Sequence, residues 1–135
     1  MVLRVLPGLF GALFLYIAAS WLLDPVGAAA GLQMELFDGA GRSSQIGDIG
    51  GFFLGSGSLL VLGAWRKSAA LLRGAAIMVG AVGVMRILAW AFQDAAFATS
   101  SIAVEVVITG VALFVASRFE AEDSAAPEES AAPEA

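Results

Sequence analysis

Cysteine and histidine are both missing from this 135-residue chain. Without cysteine there are no disulfides, no thiol chemistry and no iron–sulfur ligation. Without histidine the commonest metal ligand and the usual near-neutral proton shuttle are gone. Haem and zinc sites are therefore not expected, and no cofactor is assigned. No basic patch suggests nucleic acid. The formal net charge of −5 arises at one end, because Glu120–Ala135 carries six acids and no base, leaving Met1–Phe119 at +1.

What the chain has in quantity is apolar sequence. The apolar fraction is 59% and the mean hydropathy +0.87, against about 45–50% apolar residues in soluble domains, and the apolar residues come in long blocks. A bilayer core about 30 Å thick needs roughly 20 apolar residues per helix. Four segments qualify, at about Leu6–Leu23, Gln45–Trp65, Ala69–Phe92 and Ala98–Ser117. Pro7 is tolerable in the opening turn of the first. Arg66, Lys67 and Ser68 form one tight turn and Gln93–Phe97 another, so the last three spans are expected as antiparallel neighbours. The expected fold is all-α: an integral membrane four-helix bundle, up-down-up-down, over residues 1–119, embedded in a lipid bilayer.

Basic residues orient it. Arg4, Arg66, Lys67, Arg73 and Arg118 fall on one side, whereas Arg42 is the one base on the other, beside Asp24, Glu35, Asp38 and Asp94. Both termini are expected in the cytoplasm. Trp21 and Trp90 would mark the outer interface and Trp65 the inner one. A rival reading takes Arg4, the first apolar run and Gly27–Ala30 as a cleaved signal peptide, but that run is long for such a signal and ends in Trp21-Leu-Leu23. The long loop Asp24–Ser44 intersperses Leu32, Met34, Leu36 and Phe37 with Gln33 and Glu35. It reads either as a packed connector or as a segment lying over the outer mouth. Residues 120–135 repeat themselves, Ser124-Ala-Ala-Pro-Glu128 and then Ser130-Ala-Ala-Pro-Glu134. Small residues, Pro and Glu bury too little surface to offset chain entropy, so a disordered acidic tail is expected.

Three ionisable residues, Asp48, Arg86 and Glu105, fall inside the spans, where a charge is costly unless it faces protein or water and finds a partner. At 1.5 Å per residue they lie roughly 5, 9 and 10 Å from the outer ends of their helices. That is one layer of the bundle, in which Arg86 could bridge both carboxylates with its planar fork. Ser101, Glu105, Thr109, Ala112 and Ala116 form a small, polar stripe at helical spacing, and Gly83 lies beneath Arg86 on its helix. Gly47, Gly51 and Gly55 make a GxxxGxxxG ridge suited to close helix packing. The cluster reads in two ways, as a structural clamp or as a polar pocket in which Arg86 meets an anionic or carbonyl group. Other chemistry fails: Ser56 and Ser58 have no His or Lys partner, the glycines open no strand–loop–helix phosphate cradle, and Met34, Met78 and Met85 are too scattered for a metal site.

The stretch Gly47-Asp-Ile-Gly-Gly-Phe-Phe-Leu-Gly55, with Arg86 in the third span and Glu105 in the fourth, resembles the DUF4345 family of small bacterial four-helix membrane proteins over roughly Leu6–Phe119. Members often carry an arginine just before the Asp-x-Gly-Gly stretch, whereas here Ile46 and Gly47 precede Asp48 and Arg42 is the nearest base. The resemblance implies the fold and a bacterial inner-membrane location, but no activity. A more distant likeness to DoxX-like four-helix proteins implies a link to quinone-dependent oxidoreduction.

The expected role is non-enzymatic: a binding or assembly module whose Asp48, Arg86 and Glu105 meet a small lipophilic or anionic ligand, a partner membrane protein or a second copy. Two alternatives come from other classes. One is a small proton-coupled transporter in which Glu105 exchanges a proton beside Arg86. Four spans are few for alternating access, so it would act as an oligomer. The other is an accessory subunit of a quinone-linked membrane oxidoreductase, its redox centre supplied from outside.

Overall fold

A backbone surrounded by apolar side chains and lipid has no water to bond to, and a helix satisfies its N–H and C=O groups internally. The computed structural model describes residues 2–125 and answers this demand with helices throughout; there is no strand among the described residues. A short 3₁₀ turn, Val2–Arg4, leads into α1, Val5–Leu23. Two short helices follow, α2 at Pro25–Gly31 and α3 at Gly39–Ser44. A π-helical stretch, Gln45–Gly50, joins α3 to α4, Gly51–Arg66. The last two are α5, Ala69–Phe92, and α6, Thr99–Ala125.

Four helical stretches are long and apolar enough to cross a membrane: α1, the continuous run Gly39–Arg66, α5 and α6. Their outer surfaces carry large apolar residues such as Leu9, Leu13, Tyr16, Ile77, Val84 and Phe114. In water so much exposed hydrocarbon would be an aggregation hazard; against lipid it is the expected surface.

Helix ends are set by local chemistry. Asp24 caps α2, its Oδ1 accepting the Gly27 N–H at 3.0 Å, with Pro25 in the first turn, where the missing proline donor costs nothing. α4 stops at Lys67, which turns left-handed (φ 52°), and the Ser68 N–H folds back on the Gly63 carbonyl at 3.0 Å. Ser68 then caps α5 by accepting the Leu71 N–H. Two residues thus suffice to reverse the chain.

The largest interfaces join α1 with α4 and α5 with α6; α4 also packs on α5, and α1 touches α6 more lightly. Glycine lets the backbones approach. A Cβ on Gly11 of α1 would lie 2.7 Å from Val61 Cγ2 and 2.9 Å from the Gly57 carbonyl oxygen, and one on Gly63 would lie 2.8 Å from Leu72 Cδ2. Phe14 of α1 meets Phe53 of α4 edge-on, ring centroids 5.0 Å apart. The buried core continues through Leu60, Leu72, Val79, Ile108 and Val115.

Three expectations change. Trp21 does not mark an interface: it is fully buried, with Gly50 lying against its Cβ and Cγ, while Trp65 and Trp90 are exposed. The stretch 120–135 is not tail from its first residue. α6 continues to Ala125, and along this extension Glu120 pairs with Arg73 and Glu122 with Lys67 at 3.6 Å. The repeat's remainder, residues 126–135, lies outside the described residues. The loop 24–44 holds two helices, and between them Leu32, Met34 and Leu36 are half-buried while Gln33, Glu35 and Phe37 are exposed. That segment is pinned by the buried Gln45, which accepts the Phe37 N–H at 2.8 Å and donates to the Glu35 carbonyl at 2.9 Å.

Candidate functional site

Arg86 lies one and a half turns before the end of α5, and Glu105 lies in the second turn of α6. The two meet: Arg86 Nε–H donates to Glu105 Oε1 at 2.7 Å. Their helices come close because Gly83, one turn before Arg86, has no side chain. A Cβ there would sit 3.2 Å from Glu105 Oε2 and 3.6 Å from the Glu105 Cβ. A turn further down, a Cβ on Gly80 would touch Thr109 Cγ2 at 3.4 Å.

The two partners are buried to different degrees. Glu105 is 9% exposed, whereas the Arg86 side chain is 39% exposed, so the carboxylate sits between the helices and the guanidinium reaches their rim. Removing a carboxylate from water costs several kcal/mol unless a counter-charge and hydrogen bonds compensate, and the compensation here is partial. Glu105 Oε1 has its partner, but Oε2 has none, and neither has Thr109 Oγ1, one turn on. Buried polar atoms are nearly always paired, so each exception asks for a cause.

A third such atom, Trp21 Nε1, lies elsewhere, but these two belong to residues lining a groove of about 300 Å³ between α5 and α6, whose other walls include Val84, Ile87, Ile102 and Leu113. The carboxylate oxygen and the hydroxyl lie just behind the apolar wall of this trough, each exposing less than 1 Å², so a donor carried on hydrocarbon meets them when the Glu105 side chain turns toward the groove. The Arg86 guanidinium, outside the residues that line the groove, has N–H groups beyond the one on Nε that can receive an acceptor.

Asp48 is not brought to this pair. It is exposed and makes no ion pair among the described residues, so the expected bridge from Arg86 to both carboxylates forms to Glu105 alone. The cause is local. Asp48 sits within the π-helical stretch, which adds a residue to its turn and so swings what precedes it by about 100° relative to α4. Arg42, its nearest base in sequence, instead pairs with Asp38 at 2.8 Å and donates to the Phe37 carbonyl at 2.9 Å. Gly47 shares the displacement, and the other two ridge glycines, which belong to α4 itself, are not on its tightly packed face either. Cβ atoms on Gly47 and Gly51 would meet nothing within 4 Å, and one on Gly55 would meet only the Met78 methyl, at 3.6 Å. The tight packing falls to Gly11, Gly57 and Gly63 instead.

Sequence reasoning missed the pairing of Arg73 and Lys67 with the first acids beyond Phe119. The signal was present: two bases at one end of α5 and two acids spaced two apart at the same end of α6. Among the described residues, no group of three or more carboxylates could hold a metal ion.

The family model described as "Domain of unknown function (DUF4345)" matches residues 2–116, a span that holds Asp48, Arg86 and Glu105. No curated protein matches the chain, and no solved structure does.

Proposed function

The chain belongs to the DUF4345 family, a domain of unknown function, and we propose that it is a membrane-embedded binding module centred on Arg86 and Glu105. In this reading it is an up-down-up-down bundle in the bacterial inner membrane with both termini cytoplasmic. Contacts support the antiparallel order. Trp21 meets Gly50 while Gly11 meets Val61, Leu72 meets Gly63 while Met78 meets Gly55, and Gly80 meets Thr109 while Gly83 meets Glu105. The basic residues Arg66, Lys67, Arg73 and Arg118 then share one end, as cytoplasmic residues do.

The observation that carries the binding role is the incomplete pairing of Glu105. A clamp built for stability alone would satisfy both carboxylate oxygens, since a half-satisfied polar network is worse than an apolar core. Here Oε2 faces Gly83 without a partner while the guanidinium stands at the rim. A small amphipathic molecule that offers a donor inside and an acceptor outside completes the arrangement.

Native mass spectrometry of the protein extracted in mild detergent tests this. Wild type should retain a small molecule that Arg86→Ala and Glu105→Ala lose while both variants keep wild-type helicity. An identical ligand complement in all three overturns the reading. A second role, proton-coupled carriage by an oligomer, also draws on the free Oε2 as a place for a proton. Flux in proteoliposomes that persists in Glu105→Gln excludes it.

A further inference from the structure

We propose that the groove between α5 and α6 holds a lipid alcohol, a hydrocarbon chain bearing an unesterified hydroxyl that donates to Glu105 Oε2. This deepens the binding role above and rests on it. Three features of the groove select the ligand. Its walls are largely aliphatic, from Val84 and Ile87 on one helix and Ile102 and Leu113 on the other, so the body is hydrocarbon. The unpartnered polar atoms of its lining residues are Glu105 Oε2 and Thr109 Oγ1, each exposing less than 1 Å², so binding requires the Glu105 side chain to turn toward the groove; a carboxylate oxygen accepts hydrogen bonds without donating any. The ligand must therefore bring a donor. Arg86 pairs with Oε1 from the rim and is not among the lining residues, so nothing inside the groove neutralises a phosphate, which the Oε2 charge would repel. A bare hydrocarbon chain would leave both polar atoms unpaired. A hydroxyl satisfies the carboxylate by donating and the threonine by accepting, one turn apart on α6.

Gly110 supplies the means to test occupancy. It lines the groove and a Cβ there meets nothing within 4 Å, so Gly110→Leu has open space at its Cβ, extends hydrocarbon into the trough and favours the helix. The experiment measures binding of four probes to purified protein in nanodiscs of phosphatidylcholine, by native mass spectrometry. The probes are dioleoylglycerol, oleyl alcohol, the O-methyl ether of dioleoylglycerol and dioleoyl phosphatidic acid. The first two separate a glycerolipid source from a fatty alcohol. At least one of them should bind about 10-fold more tightly than the ether and the acid, the value of a hydrogen bond to a charged group. Thr109→Val should weaken it by about 3-fold or more, and Gly110→Leu should abolish it.

Equal binding of alcohol and ether overturns the proposal, and so does undiminished binding to Gly110→Leu. So does failure of both alcohols to bind, which leaves the groove to water or phosphatidylcholine chains. The two readings fail separately. If molecules co-extracted with the protein still depend on Arg86 but not on Gly110, the binding role stands and the groove is not its seat. If nothing depends on Arg86 or Glu105, both fall.

Discussion

Glu105 is held by what its neighbours lack as much as by what they carry. Gly83 leaves the space that Oε2 occupies, and Arg86 supplies the charge that makes a buried carboxylate tolerable. Removing one member of such a pair leaves the other uncompensated, at a cost of about 3 kcal/mol or more, whereas removing both is far milder. Arg86→Met should therefore destabilise the protein substantially in SDS-titration unfolding, and the double variant Arg86→Met with Glu105→Gln should recover most of the loss. A double variant as unstable as the single one would show that Arg86 acts through packing instead. The glycines allow a second prediction at this scale. Gly11→Ala forces a methyl group into Val61 and the Gly57 backbone and should cost about 1–3 kcal/mol. Gly8→Ala, on the same helix with nothing within 4 Å, should be neutral or stabilising by up to about 1 kcal/mol. Both are read by the same unfolding assay.

Helices were legible from sequence to the degree that composition controls them. α5 was read at its observed bounds, because Ser68 caps one end and polar Gln93 follows the other. The Arg86–Glu105 pair was legible for a related reason: two charges at one depth on helices joined by a short turn have few alternatives to meeting. What escaped has no compositional sign. A π-helical turn uses the same residues as an α-helical one, so spacing arguments carried straight through Gln45–Gly50 and put Asp48 and Gly47 on a packed face. Trp21 was read as interfacial because tryptophan often is, yet Gly50 opposite it leaves room for full burial. The acids after Phe119 looked like tail because low-complexity sequence was judged as one block, whereas the first of them have bases within reach. Those exposed pairs each contribute at most about 1 kcal/mol. Glu120→Ala with Glu122→Ala should thus leave global stability nearly unchanged. It should speed backbone hydrogen exchange in the last turns of α6, as should high salt acting on the wild type. Exchange unaffected by either would mean that helix propensity alone extends α6.

At the scale of the whole molecule the fold is inside out relative to a soluble one. Small residues such as Gly57, Gly63, Ala75, Ala112 and Ala116 fill much of the interior, while leucines, valines and phenylalanines cover much of the outside. Lipid offers apolar groups no reason to hide, so association relies on close backbone contact and a few polar pairs. This makes the position of each charge informative about the bilayer. Arg66, Lys67, Arg73 and Arg118 gather where α4 turns into α5 and where α6 ends, and Asp94 lies at the opposite turn. If the positive end is cytoplasmic, the turn after α5 and the α2–α3 segment face outward. The absence of cysteine makes the test clean, since each introduced thiol is the only one present. Ser44→Cys and Asp94→Cys should react with a membrane-impermeant maleimide on intact spheroplasts, whereas Lys67→Cys and Ser117→Cys should react only after lysis. The reverse pattern would invert the bundle and turn the Arg86–Glu105 end of the α5–α6 groove to the cytoplasm. Labelling of all four positions in intact cells would mean that the helices do not span the membrane, and with that the lipid-facing groove would lose its solvent.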